Sequence, residues 1–182
     1  MFISHQLKQK NIAEYLIYMW QVEDLIRANG CDIERIKRCV VDNYPSLSDE
    51  QRDELSQWYE DLIEMMRREE VMQQGHLQIN KNIIVWLTDL HLQLMASSKF
   101  PYYNAAYYKA LPFIVELRAK GGQDKSELEN CFDALYGVWM LRLQRKEVSS
   151  DTATAVTDIV KFIGLLSDYY KKDRAGELDL ED

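Results

Sequence analysis

Apolar residues recur at three- and four-residue spacing along most of the chain, and no pair of strands can be read from it. The first such pattern runs from about Ser4 to Ala28, with Ile12, Leu16, Met19 and Ile26 on one stripe and Tyr15 and Val22 beside it. Asn29 and Gly30 stop it, because both tolerate the left-handed conformation found at helix C-termini. A short helix is predicted from Asp32, a good N-cap, to Val41, closed by Asn43-Tyr44-Pro45 since the residue before a proline is pushed out of the helical region. Ser48-Asp49-Glu50-Gln51 then reads as a capping box, in which the serine hydroxyl accepts from the third helical N–H and Gln51 reaches back to the cap. The helix it opens should extend to about Gln74, carrying Leu55, Trp58, Tyr59, Leu62, Met65, Met66 and Met72, with Gly75 ending it.

The next pattern, about Leu77 to Ser97, is apolar around more of its circumference, through Ile83, Val85, Trp86, Leu87, Leu90, Leu92 and Leu94. That breadth predicts a central, least exposed helix. Pro101 suits the first turn of a fifth helix running to about Lys120, and Pro112 inside it predicts a kink or break near Ala110. Asp124 with Glu127 resembles a capping box for a sixth helix to about Lys146, with Leu128, Phe132, Leu135 and Trp139 on its stripe. Ser150 is placed to cap the last helix, which carries Ile159, Phe162, Ile163, Leu166 and Tyr169 and ends before Gly176. The expectation is an all-α fold: a single-domain antiparallel helical bundle of six long helices and one short helix over residues 1–176, then an acidic C-terminal tail at 177–182. The ~34-residue period of tetratricopeptide repeats is absent, and so are sustained heptads.

Composition agrees with a globular chain. Hydrophobic residues make up 47% of the 182 positions and charged residues 29%, whereas glycine and proline number only seven and three, few for a sandwich or barrel. The net charge of −8 repels a phosphate backbone, so no nucleic-acid partner is expected. No segment approaches the ~18 apolar residues of a membrane span, and Lys8, Lys10 and Glu14 interrupt any secretory leader. The three cysteines, Cys31, Cys39 and Cys131, have no CxxC spacing. They read as small hydrophobes in a reducing, cytoplasmic setting.

The segment Asn11-Ile12-Ala13-Glu14-Tyr15-Leu16-Ile17-Tyr18-Met19-Trp20-Gln21-Val22-Glu23-Asp24-Leu25-Ile26-Arg27 resembles the N-terminus of an uncharacterised, all-helical bacterial family of about 180 residues. That family is known only as a domain of unknown function, and the resemblance extends over most of the chain. It implies a bacterial cytosolic protein and brings no activity, substrate or catalytic residue with it.

Candidate chemistry is sparse. Dinuclear metal sites in bundles use Glu-x-x-His, yet Phe2, Gln73 and Thr88 stand three positions before His5, His76 and His91. Glu60-Asp61-x-x-Glu64 faintly resembles the first acidic motif of helical nucleoside-triphosphate pyrophosphatases, whose paired carboxylates hold magnesium, but the second motif is missing. No cofactor and no metal is therefore expected. His91 falls on an apolar helix face, where burial should make it titrate low. Glu23 continues the Ile12-Leu16-Met19 seam, and an ion pair with Arg142 is one way to compensate it.

The most unusual stretch is Phe100 to Phe113, with Tyr102, Tyr103, Tyr107 and Tyr108 distributed over more than one helical face. Tyrosine joins apolar area to a hydroxyl, which suits interfaces and ligand clefts. The favoured reading is a non-catalytic helical interaction or binding protein that self-associates through these tyrosines. The alternative is a small-molecule binding protein or enzyme with a site inside the bundle near His91. A DNA-binding regulator using Asp32 to Gln51 is third and is disfavoured by the acidity. Exposure separates the first two: one solvent-facing tyrosine patch points to a protein partner, and tyrosines converging with His91 around a cavity point to a small molecule.

Overall fold

Asn11 divides what the apolar pattern joins. Its side-chain oxygen accepts from the Ala13 N–H at 3.1 Å, so it caps a new helix in place of continuing the old one. The computed structural model describes residues 1–122 and 124–180. Among them there is no strand, and the α-helices are α1 (Phe2–Lys10), α2 (Ile12–Ala28), α3 (Ile33–Cys39), α4 (Asp49–Arg68), α5 (Gln78–Ala96), α6 (Pro101–Leu117), α7 (Glu127–Leu143) and α8 (Ser150–Arg174). A 3-10 turn at Val41–Asn43 follows α3, and a π-turn at Arg118–Gly122 follows α6. The fold is all-α, as the periodicity predicts.

The chain divides into two compact units, one of Met1–Lys10 with Glu14–Asn82, the other of Asn11–Ala13 with the residues from Ile83 onward. In the first, the α2 stripe is buried as its spacing requires: Leu16, Met19 and Ile26 are closed to solvent, with Trp20 beside them. Leu55, Tyr59, Leu62 and Met66 form the buried face of α4, and Ile36 comes from α3. Asp32 caps α3 by accepting from the Glu34 N–H, and the Ser48–Gln51 capping box is present in both directions. The α4 helix stops at Arg68 instead of reaching Gln74. Glu70 takes the left-handed conformation at φ 59°, and the Val71 N–H returns to the Met66 carbonyl at 2.9 Å, a helix ending made without glycine.

In the second unit, α6 and α8 meet through Phe100 against Tyr169, Tyr103 against Phe162, and a 2.8 Å ion pair of Lys109 with Asp158. Asn11 is tied to α8, accepting from the Ser167 hydroxyl at 2.8 Å while that oxygen accepts from the Ala13 N–H. The N-caps of α7 and α8 lie beside the predicted ones: Ser126 accepts from Glu129, and Ser149 from Thr152. The α-helical backbone passes through Pro112 without a break, and the irregular turn comes later, at Arg118–Gly122.

Helix α5 departs from expectation. It buries the face of Ile83, Leu87, Leu90 and Leu94, yet Val85, Trp86 and Leu92 are each half exposed or more, so it is not the least exposed element. Its breadth of apolar residues reflects an uncovered side. Glu181 and Asp182 of the acidic tail lie outside the described residues, while its Asp179 pairs with Lys99 at 3.0 Å.

Candidate functional site

His91 stands one turn after Leu87 and three positions before Leu94 on the buried face of α5. Its Nδ1 is 2.7 Å from the Tyr103 hydroxyl, and its ring lies against Tyr107 and Phe162 with centroids at 4.9 and 5.5 Å. Burial holds the imidazole below the ordinary histidine range, against the opposing charge of Glu127. The Tyr103 phenol is pushed well above its usual range, chiefly by burial. Burial also raises Tyr107 to about 12, helped by the 2.9 Å hydrogen bond that its hydroxyl donates to Glu127. Arg118 reaches the other oxygen of Glu127 at 3.4 Å. The Cys131 thiol, fully buried, is pushed up to about 12 by burial and then by Glu127. The shifts of His91, Tyr103, Tyr107 and Cys131 all favour their neutral forms, and His91, Tyr103 and Cys131 are buried, so the cluster is a packed polar and aromatic core.

The four candidate tyrosines therefore split. Tyr103 and Tyr107, one helical turn apart, converge on His91. Tyr102 and Tyr108 point to solvent at 85% and 61% exposure. Six positions apart, they fall about 120° from each other around the helix axis and do not make one patch.

A concave site does exist in the second unit, away from His91. The last turns of α6 with the π-turn, the second half of α7 and the first turns of α8 surround a groove of about 530 Å³. From α6 and its turn come Phe113, Glu116, Leu117 and Lys120. Helix α7 presents Ala134, Gly137, Val138 and Leu141, a single face at three- and four-residue steps. Asp151, Thr152, Ala155, Val156 and Ile159 complete it from α8. Apolar side chains line the body, and the charged ones sit where α8 begins and α6 ends. Gly137 belongs to this wall, and a Cβ built on it meets nothing within 4 Å, as is also true of Gly164 inside α8, away from the groove. Glycine inside a helix costs about 1 kcal/mol relative to alanine.

The profile of the family described as Domain of unknown function (DUF4924) matches residues 1–177. The chain belongs to this family. No curated protein and no solved structure matches it. The site of the DUF4924 chain is therefore read from its own residues. Among those described, no group of three or more His, Cys, Asp or Glu is placed to hold a metal ion, and no helix is long and apolar enough to cross a membrane.

Sequence reasoning missed a polar clamp in the first unit of the DUF4924 chain. Glu23 is fully buried, and its partners are not Arg142. One carboxylate oxygen accepts from the Leu77 N–H at 3.0 Å and from Asn80 Nδ2 at 2.7 Å; the other lies 2.6 Å from His76 Nδ1. The His76 ring stacks on Trp20 at 4.1 Å. One turn further along α2, Arg27 donates to the carbonyls of Val71 and Gly75. Glu23 and Arg27, at i and i+4, thus satisfy the Leu77 amide and the Val71 and Gly75 carbonyls of the irregular segment between α4 and α5. The i, i+4 spacing was visible in the sequence, and its target was not.

Proposed function

We propose that this protein binds an apolar or amphiphilic small molecule in the groove between α6, α7 and α8. The observation that carries the reading is the groove itself, about 530 Å³ and lined mainly by apolar side chains, within the size range of ligand pockets. Gly137 leaves room on the α7 side of the groove, where an added Cβ meets nothing within 4 Å. This keeps a small-molecule site inside the second unit and moves it from His91 to the opposite end of α6. A cytoplasmic setting belongs to the same reading, supported by free thiols at Cys31, Cys39 and Cys131.

The test uses octanol as a neutral apolar probe, titrated calorimetrically into wild type, Gly137→Ala and Gly137→Leu. Alanine should raise stability by about 0.5–1 kcal/mol and retain binding. Leucine should keep the fold and weaken octanol binding at least about tenfold by filling the groove. Absence of octanol binding to wild type, or unchanged binding to a folded leucine variant, would overturn the reading.

A second reading is self-association through Tyr102 and Tyr108, supported by their exposure of 85% and 61%. Sedimentation across a concentration series, repeated on Tyr102→Ala/Tyr108→Ala, tests it. A dimer lost in the variant supports it, and a monomer in both rejects it.

A further inference from the structure

We infer that the ligand of this groove carries a cationic head, an alkylammonium group at the end of an apolar tail, recognised by Asp151. The inference rests on the groove reading above and adds the sign of charge at its mouth. Among the described residues, three charged ones line the groove. Glu116 and Lys120 neutralise each other in a 2.6 Å ion pair across one turn. Asp151 remains, exposed, and the Ser150 hydroxyl reaches its carboxylate at 3.4 Å, long for such a hydrogen bond. The mouth therefore has one negative charge in excess.

The beginning of α8 would ordinarily favour the opposite sign, since helix N-termini attract anions through their free N–H groups. Here part of that capacity is taken up, at the Thr152 and Ala153 N–H groups. Ser149 accepts from the Thr152 N–H at 3.2 Å, and its hydroxyl lies 2.9 Å from that of Thr152. Asp151 itself supplies the anion of the first turn. Lys120 is the one basic residue lining the groove among those described, and Glu116 holds it. The net charge of −8 draws cations to the surface as well. An incoming carboxylate thus meets a carboxylate, whereas an ammonium group meets one without a strong partner, with its tail directed along Val138, Leu141, Val156 and Ile159.

Three probes with the same tail separate the effects of tail and head: octylammonium, octanol and octanoate, each titrated calorimetrically at low salt into wild type, Asp151→Asn and Gly137→Leu. Octylammonium should bind wild type about fivefold tighter than octanol, the scale of one partly exposed ion pair, and octanoate more weakly than octanol. Asp151→Asn should bring octylammonium to the octanol level and leave octanol itself unchanged. Gly137→Leu should weaken all three. Equal binding of the three probes to wild type, or tightest binding of octanoate, would overturn the cationic head and leave the groove standing. Failure of every probe to bind wild type would overturn both.

Discussion

Replacing Glu23 by alanine removes the group on which the α4–α5 segment depends, and the structure sets the scale of the loss. The carboxylate is fully buried and engages Leu77 N–H, Asn80 Nδ2 and His76 Nδ1 at 3.0, 2.7 and 2.6 Å. After truncation, the Leu77 amide and the Asn80 side chain are left buried without an acceptor, at about 1–3 kcal/mol each. Removing one partner from a buried charged network costs about 3–5 kcal/mol in total. A domain of this kind is stable by only about 5–15 kcal/mol, so the variant should lose about a fifth of its stability or more. In urea, with a slope of about 2 kcal/mol per molar, the midpoint should fall by about 2 M. Far-UV circular dichroism at fixed pH follows the transition. Glu23→Gln is the control: its amide oxygen can still serve Leu77 and Asn80, so the loss should be about half as large. An alanine variant within 1 kcal/mol of wild type would refute the view that this carboxylate organises the segment.

Glu70 and Arg145 hold left-handed backbone at φ 59° and 56° on the surface, so Glu70→Gly and Arg145→Gly should each stabilise the protein by about 1 kcal/mol, and thermal midpoints that fall instead would contradict the cap assignment. Because burial lowers the pKa of His91, the unfolded chain takes up its proton first as pH drops below the ordinary 6.5, and the stability contributed by the neutral imidazole is present above that pH and lost below it. His91→Asn should therefore show a shallower decline in urea midpoint between pH 7.5 and 5.5 than wild type; equal declines would remove His91 from the acid sensitivity.

Helix existence and the inward faces were legible in the sequence because they follow from short-range spacing. The Ile12, Leu16, Met19 and Ile26 stripe and the Ser48–Gln51 box needed no tertiary information, and both are present. Helix ends were less legible wherever a non-glycine residue takes the left-handed conformation: Glu70 and Arg145 close α4 and α7 early, and neither residue type advertises it. Asn11 inside an apolar pattern was a stop signal that the stripe around it concealed. At α5, composition was mistaken for burial, since an apolar circumference does not say which side another helix covers. The burial of His91 followed from local pattern, whereas that of Tyr103 was not separated from the other tyrosines of its segment. The groove did not follow from local pattern, because it is made by three helix faces whose convergence is a tertiary fact; the groove wall on α7 becomes visible only once Ala134, Gly137, Val138 and Leu141 are placed against the other two helices.

The most direct test of the groove is a methyl-resolved NMR titration with octanol. The account predicts saturable shifts at Val138, Leu141, Val156 and Ile159, with Leu16, Ile36 and Leu62 unmoved. Shifts centred on any other set of methyl groups, or none at concentrations up to the solubility of the probe, would contradict it.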